Sequence, residues 1–412
     1  MKSNKWKFLL TGAVALALMA GCSKNQATTA TSTGSSSTTT TTTTNASYFT
    51  EKDYDTSYDE STASTVKLSG SSATVSGDGV AVSGSTVTIS KAGTYVISGT
   101  SDGVQLKIEA GDSDDVHIIL DGVTMTNTEA PISATKAGHV YITLKDGTTS
   151  TLSDSSSSTD EDADAVIFSK GDLTINGKGT LTIDAKKDKG IKANDTLHIT
   201  GGTFKITSVG DGLNVNDELN IANTTMTIDA TEDAVKVDND DDLTVGNMYL
   251  ANNTMTISAG DDAIHASKDL ILDSGTYKIT QSVEGIEGKT ITINDGTISI
   301  EASDDGINAA DGSLSSDSMA AQDGVFITIN GGNITINMAS GDTDAIDSNG
   351  DLTINGGTLN ITAQSAFDFS GSSYYNGGSL TVNGETVTEI TESMMGGGGP
   401  QGGFGGGPGG GR

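Results

Sequence analysis

The amino-acid sequence predicts an all-β protein, a right-handed parallel β-helix with about 22 residues per coil. The first observation behind this prediction is a recurring phrase of an acidic, a small and an aliphatic residue. It is clearest as Asp-Asp-Ala-Ile at 261–264 and Asp-Asp-Gly-Ile at 304–307. The residue before the small one stands at 164, 189, 211, 233, 262, 284, 305 and 344. A step near 22, lengthened by occasional insertions, is typical of a solenoid.

The second observation is that apolar residues within each repeat are spaced by two. The repeat from 188 to 209 places them at Ile191, Leu197, Ile199, Phe204 and Ile206. This spacing favours β-strands over helices, and glycine pairs such as Gly201-Gly202 supply tight turns. Three short strands per coil, stacked about 4.8 Å apart, make a parallel β-helix with ladders of aliphatic residues inside. A β-sandwich explains the alternation equally well, but not the repeat length.

The first 22 residues are expected to be a lipoprotein signal peptide. Three lysines precede an apolar run over 8–20, and Met19-Ala20-Gly21-Cys22 resembles the lipobox of bacterial lipoproteins. Lipidation of Cys22 would anchor the protein in the membrane at the bacterial cell surface, and ordinary secretion is the alternative. Both place the mature chain outside the cytoplasm, and a single cysteine allows no disulfide within the chain.

The rest of the chain divides by composition. Residues 23–64 are rich in Ser and Thr and predict a disordered tether, because they have too few aliphatic residues for a core. Residues 65–162 share the strand pattern without the acidic phrase and predict the N-terminal part of the β-helix. Residues 163–393 form the repeat region with acidic turns. Residues 394–412 are glycine-rich and predict a disordered tail.

The charge of the chain is strongly negative. Without the three signal-peptide lysines it has 19 basic and 54 acidic residues, a net charge of −35. Nucleic acids and anionic membrane surfaces are therefore excluded as partners, whereas cations are favoured. We expect the protein to be a monomer.

The acids of the recurring phrase are predicted to stack in a column, because a parallel ladder repeats each position from coil to coil. Like charges about 5 Å apart repel by roughly 1 kcal/mol per pair even in water. Ca²⁺ reverses that sign, since it accepts six to eight oxygen ligands in flexible geometry. The alternative is that the acids only form turns and keep the solenoid soluble. Against it stand the acid pairs 232–233, 261–262 and 304–305, which add a charge that a turn does not need.

A second row is formed by the residue after each aliphatic anchor, which strand alternation turns outward. The candidate ligand-binding residues of this row are Lys192, Asn214, Lys236, His265 and Asn308. The alternative is a solvated face without a ligand. Trp6, the only tryptophan, belongs to the signal peptide, so sugar stacking cannot depend on tryptophan. Binding through cation-bridged carboxylates suits acidic sugars such as uronates.

The lipobox, the β-helical repeat and the Asp-Asp-Ala-Ile and Asp-Gly-Ile phrases resemble a family of bacterial surface lipoproteins, the carbohydrate-binding domain-containing parallel β-helix proteins. The resemblance covers residues 65–384. It implies a fold similar to pectate-type polysaccharide lyases, calcium binding, and binding of cellulose-like or acidic glycans. Carried over by position, it implies calcium ligands at Asp188, Asp211, Glu232, Asp233, Asp261, Asp262, Asp304 and Asp305.

Two further functions remain open from the sequence. A calcium-dependent polysaccharide lyase of this fold needs a base to remove a proton next to the uronate carboxylate. Arg412, the only arginine, lies in the glycine tail, so the first candidate base is Lys189, with Lys192 and Lys236 as further candidates. The other function is a structural adhesin or surface spacer. We expect non-catalytic glycan binding to be the function.

Overall fold

The computed structural model describes residues 48–161, 163–239, 241–314, 320–340 and 343–391. The predicted signal peptide with Cys22, residues 23–47 of the predicted tether and the predicted tail at 394–412 lie outside these residues. Nearly all regular structure in the described part is β-strand, apart from a short 3-10 helix, η1 (Glu51–Tyr54). No helix in this part is long and apolar enough to cross a membrane.

The described residues form 36 strands. The N-terminal part contains β1 (Ser64–Gly70), β2 (Ser72–Ser76), β3 (Val80–Ser83), β4 (Thr86–Ile89), β5 (Gly93–Asp102), β6 (Gln105–Glu109), β7 (Asp115–Thr126), β8 (Ile132–Lys136), β9 (His139–Leu144) and β10 (Thr149–Ser153). The repeat region contains β11 (Ala165–Ser169), β12 (Leu173–Gly177), β13 (Thr180–Ala185), β14 (Lys189–Ala193), β15 (Thr196–Ile199), β16 (Thr203–Ser208), β17 (Leu213–Val215), β18 (Glu218–Ala222), β19 (Thr225–Ala230), β20 (Val235–Val237), β21 (Asn247–Ala251), β22 (Asn253–Ser258), β23 (Ile264–Leu272), β24 (Gly275–Gln281), β25 (Ile286–Ile293), β26 (Thr297–Ala302), β27 (Asp305–Ala309), β28 (Phe326–Ile329), β29 (Asn333–Met338), β30 (Asp344–Ser348), β31 (Asp351–Ile354), β32 (Thr358–Thr362), β33 (Ser365–Phe369), β34 (Ser373–Tyr375), β35 (Ser379–Val382) and β36 (Glu385–Val387).

Parallel pairing between coils builds three faces. Face A contains β6, β8, β11, β14, β17, β20, the first parts of β23 and β25, then β27, β30 and β33. Face B contains β9, β12, β15, β18, β21, the last parts of β23 and β25, then β28, β31 and β34. Face C contains β10, β13, β16, β19, β22, β24, β26, β29, β32 and β35. The predicted parallel β-helix is confirmed.

Antiparallel pairing occurs only at the two ends of the described solenoid. β1 pairs with β2 and β3 with β4 at the N-terminal end, and β35 pairs with β36 at the C-terminal end. These hairpins cover strand edges that would otherwise offer unpaired backbone groups to another chain.

The register of face A follows the predicted repeat from the second phrase onward. The inward anchors that pair in succession are Ile191, Leu213, Val235, Ile264, Ile286, Ile307 and Ile346. They belong to one continuous buried core that runs from Val66 to Leu380. The interior is therefore a stack of aliphatic ladders.

The first phrase is displaced by one residue from its predicted position. Ala165, not Asp164, pairs with Lys189, and Ile167 pairs with Ile191. The physical reason is that all five residues of β11 are buried. Apolar character therefore could not show which of the two neighbours, Val166 or Ile167, is the anchor.

The predicted tether extends too far toward the C-terminus. Residues 48–58, here called the strap, pack on the outside of face B. Tyr48 stacks on Tyr249 with ring centroids 3.8 Å apart, and Phe49 is buried against the rings of Tyr249 and His198. Four aromatic residues within this short segment supply the apolar contact that the Ser/Thr stretch before it lacks.

Asp53 fixes the strap to the β-helix. It is 2% exposed, and its Oδ1 lies 3.2 Å from His198 Nδ1 and accepts a 2.7 Å hydrogen bond from Thr174 Oγ1. Asn176 Nδ2 donates to the carbonyl oxygens of Asp53 and Asp55. The strap thus buries polar side chains of face B and also forms hydrogen bonds with them.

We expect the strap contact to weaken as pH rises from neutral to alkaline values. Burial disfavours the charged imidazole, but the neighbouring carboxylates of Asp53 and Glu218 outweigh it and raise the pKa of His198 from 6.5 to about 9. Because the folded-state pKa is raised, this stabilisation is complete below pH 6.5 and is lost as pH rises through 9. Its size is on the order of 3 kcal/mol.

Thermal unfolding between pH 6 and 9.5, with His198→Gln as the comparison, measures this contribution. The stability of the wild type should fall more steeply than that of the variant across this range. Equal slopes would show that the His198–Asp53 pair does not contribute as the structure indicates.

Candidate functional site

The acids of the recurring phrase do stack along one edge of face A. We call this set the acid column: Asp211, Asp233, Asp262, Glu284, Asp305 and Asp344. Close approach of successive coils explains the small residue that follows each acid. A Cβ on Gly212 would lie 2.5 Å from the carbonyl oxygen of Ala234. As a consequence the column acids are largely buried, with Asp211 4% and Asp233 2% exposed.

One oxygen of the column acids has a structural role. Asp211 Oδ1 accepts the backbone N–H of Asp233 at 3.1 Å, and Asp233 Oδ1 accepts that of Asp262 at 2.8 Å. The same bond joins Glu284 to Asp262 and Asp344 to Asp305, each at 3.2 Å. A carboxylate at this position thus ties one coil to the next, which is part of the structural alternative considered for these acids.

The other oxygen is occupied in the N-terminal part of the column, which we call the paired segment (188–265). Asn214 Nδ2 donates to Asp211 Oδ2 at 2.6 Å, Lys236 Nζ to Asp233 Oδ2 at 2.7 Å, and His265 Nδ1 lies 3.2 Å from Asp262 Oδ2. Each of these residues belongs to the outward row that was predicted to bind a ligand. The row folds back on the acids, where Lys236 and His265 neutralise Asp233 and Asp262, whereas Asn214 donates a hydrogen bond without charge.

Lys189 and Lys192 are engaged within the same segment. Lys189 Nζ lies 2.7 Å from Asp164 Oδ2 and 2.6 Å from Asp188 Oδ2, while Lys192 Nζ donates to Asn214 Oδ1 at 3.3 Å. Burial disfavours the Lys189 ammonium, but these carboxylates outweigh burial and raise its pKa. Lys189 therefore holds two carboxylates as a cation, and its raised pKa makes it a poor proton acceptor.

His265 is likewise held as a cation. It contacts Glu287 of the next coil as well as Asp262. Burial lowers the pKa of the imidazole, but the two carboxylates outweigh burial and raise it to about 10. One ligand atom each of Asp262, His265 and Glu287 lies within 4.8 Å of the others.

Predicted metal ligands also converge beside this point. One oxygen each of Asp233, Asp261 and Asp262 lies within 4.8 Å of the others. Asp261 is exposed, as are Glu232 and Asp304, the first members of the other two acid pairs. The pairs therefore consist of one inner acid that ties coils together and one outer acid that faces solvent.

The C-terminal part of the column differs because no lysine or histidine folds onto it. The open segment is our name for two acids of this part of the column and two neighbouring residues of the outward row: Glu284, Asp305, Asn308 and Asp347. Within the described residues Glu284, Asp305 and Asp347 take part in no ion pair with a lysine or histidine. Burial and neighbouring carboxylates raise the pKa of Glu284 to about 9, that of Asp305 to about 8 and that of Asp347 to about 7. Without a cation, Glu284 and Asp305 are therefore largely protonated at pH 7, and a compensating positive charge favours ionisation of these half-buried acids.

Asn308 supplies an oxygen that lacks a donor. Its side-chain Nδ2 donates to both carboxylate oxygens of Glu284 at 3.1 Å, which fixes the orientation of the amide. Its Oδ1 is buried and has no hydrogen-bond partner within the described residues. Asn308 is 9% exposed and pairs in register between Glu287 and Asp347. A buried oxygen among carboxylates is an environment suited to a cation.

The sequence analysis missed the continuation of the outward row to Asp368. Asp347 pairs with Asp368 of β33, one coil beyond the last phrase that the sequence analysis identified. The signal was present as Ser365-Ala366-Phe367, in which serine replaces the acid. A search for acids alone therefore ended one coil too early.

Comparison with known proteins gives two matches. A model of the family described as carbohydrate-binding domain-containing protein matches residues 83–313 and 268–394. A solved structure, the polysaccharide lyase-like protein from C. thermocellum as a gadolinium derivative, is 26% identical over 68% of this chain and 98% of its own, with a TM-score of 0.49. No curated protein sequence matches the chain significantly.

Removal of Lys236 is expected to destabilise the metal-free protein. Lys236→Met leaves the buried Asp233 carboxylate without its cation, at a cost on the order of 2 kcal/mol, since the lysine is itself partly exposed. Chemical denaturation in the presence of a chelator measures the loss, and the second substitution Asp233→Asn should restore most of it. Lys278→Met, on the exposed side of β24, is the control and should have little effect. Equal stability of Lys236→Met and wild type would contradict the neutralising role.

Proposed function

The chain belongs to the family of carbohydrate-binding domain-containing proteins, and we propose that it binds polysaccharide outside the cytoplasm with the help of Ca²⁺. The family match covers most of the β-helix and supports a carbohydrate ligand. The observation that carries the proposal is the open segment, where half-buried acids without a lysine or histidine partner occupy the same and adjacent coils as Asn308, whose buried Oδ1 has no hydrogen-bond partner within the described residues.

The residues of the open segment fit a calcium ion by their chemistry. Glu284, Asp305, Asp347 and Asn308 offer only oxygen atoms, which a hard divalent cation prefers. Asp304, at the exposed edge, adds a carboxylate that faces solvent. A bound cation relieves the repulsion between these acids and can also take hydroxyl or carboxylate oxygens of a sugar as ligands.

The paired segment is a less favourable place for the same ion. The second oxygens of Asp211, Asp233 and Asp262 already accept hydrogen bonds or lie against a cation. A metal at Asp233, Asp261 and Asp262 has to compete with Lys236 and His265. We therefore propose Asp304 and Asp305 as the calcium ligands among the eight expected positions.

Glycan binding is favoured over the lyase because the expected base is a poor one. The raised pKa of Lys189 keeps it protonated at neutral pH, between Asp164 and Asp188. The outward row was expected to bind the ligand directly through Lys192, Asn214, Lys236, His265 and Asn308. Its members instead contact other side chains of the β-helix. We therefore propose that the row acts on the ligand indirectly, by setting the charge of the acids beside it.

Calcium should stabilise the wild type and promote its retention on polygalacturonate. Calcium at a hundredfold excess over its Kd adds about 2.7 kcal/mol to the stability of the folded state. The double variant Asp305→Asn/Asp347→Asn should lose both effects. The control Asp78→Asn/Asp229→Asn removes two exposed acids away from the column and should keep them.

The measurements are thermal unfolding and sedimentation with insoluble polysaccharide, each with calcium or chelator. A melting temperature that calcium leaves unchanged would refute the metal site. Absence of retention on both cellulose and polygalacturonate would refute glycan binding and favour a surface spacer.

We also propose that a lipid on Cys22 holds the protein at the bacterial cell surface, and the lipobox-like segment supports this. Cys22→Ser should release the protein from the membrane fraction of expressing cells and abolish incorporation of labelled fatty acid. Cys22→Ser protein that stays in the membrane fraction would contradict a lipid anchor.

A further inference from the structure

The strap builds a groove on the other side of the β-helix from the acid column. The groove has a volume of about 500 Å³. One wall is the strap, with Tyr54, Thr56 and Tyr58. The other wall consists of the turns between faces B and C in four successive coils. These turns lie at the C-terminal ends of β9, β12, β15 and β18. Four coils span about 14 Å along the solenoid axis.

The floor of the groove is open because it consists partly of glycine. Gly177 has a φ of +101°, and a Cβ there would lie 2.2 Å from the carbonyl oxygen of Leu144. Gly202 has a φ of +94°, and a Cβ there would lie 2.9 Å from the Leu144 side chain. These positions require glycine for packing, and the same feature lets a ligand approach the backbone closely.

The lining combines tyrosine rings with basic side chains. Lys145 and Lys178 line the groove together with one acid, Asp146. Lys145 is paired with Asp121 at 2.7 Å, whereas Lys178 is exposed and forms no ion pair within the described residues. Asp121 thus balances Lys145, and Lys178 is the lysine of the lining that no ion pair engages within the described residues. Lys178 is therefore available to an anionic ligand.

We propose that this strap groove binds a sugar residue that carries a carboxylate, within an acidic polysaccharide. Tyr54 and Tyr58 offer flat apolar faces with polar tips to a sugar ring. Lys178 provides a charge-assisted hydrogen bond to the carboxylate, and the exposed Asp146 is a polar group that sugar hydroxyls can meet. The proposal rests on the proposed function in one respect, since it takes the ligand to be a saccharide.

The strap is essential to this site, because without it the tyrosine wall is missing. The strap is held by contacts outside the groove, including the Asp53–His198 pair and the Tyr48–Tyr249 stack. Variants of Tyr58 and Lys178 therefore alter the groove without removing the strap.

The test is calorimetric titration of the full-length protein with a trimer of galacturonate and with cellotriose, in buffer with a chelator. We expect Tyr58→Ala to weaken binding of both sugars about tenfold, and Lys178→Gln to weaken only galacturonate binding, also about tenfold. Lys278→Gln, which removes a lysine from exposed face C, is the matched control and should bind as the wild type does. Unchanged melting temperatures confirm that the variants are folded.

The outcomes separate the groove from the calcium site. Wild-type affinity in both Tyr58→Ala and Lys178→Gln would overturn the groove. Binding that needs calcium and is lost in Asp305→Asn/Asp347→Asn would also overturn it, while supporting the proposed function. Absence of binding to either sugar with or without calcium would overturn both.

Discussion

The fixed register of parallel strands is the constraint on which the rest of this structure depends. Each position of a coil lies about 4.8 Å from its equivalents above and below. For aliphatic residues this is favourable, and it produces one continuous core from Val66 to Leu380. For acids the same register brings like charges together, so every coil that repeats the acidic phrase needs a compensating group.

The chain meets this need differently along its length. Between residues 188 and 265 it places Lys189, Lys236 and His265 beside the acids. Further on, the corresponding positions of the outward row are Glu287, Asn308 and Asp347, and the half-buried Glu284 and Asp305 have no lysine or histidine partner within the described residues. One repeat pattern therefore gives a segment in which cationic side chains of the protein balance acids and a segment in which, within the described residues, they do not; the calcium site that we propose lies in the second. The difference lies in Lys189, which replaces the acid of its phrase, and in Lys236 and His265, which follow the aliphatic anchor.

The sequence was sufficient to predict the β-helical coil, because the repeat length, the alternation of apolar residues and the glycine turns all indicate the same fold. It was insufficient to predict the candidate site, where the decisive facts are the orientations of side chains. The direction in which Lys236 or His265 bends cannot be derived from strand alternation, which says only that each points outward.

The displacement of Asp164 from its predicted register arose because Val166 and Ile167 are equally apolar. The strap was missed because aromatic residues at 48, 49, 54 and 58 were grouped with a threonine-rich segment. Their shared contact with face B depends on side chains far away in the sequence.

The most direct measurement of the central claim is an anomalous difference map from crystals grown with calcium. The account predicts a peak beside Asn308 Oδ1, among Glu284, Asp305 and Asp347, with Lys236 and His265 still on their carboxylates. A peak at Asp233, Asp261 and Asp262 with Lys236 swung away, and none beside Asn308, would contradict it.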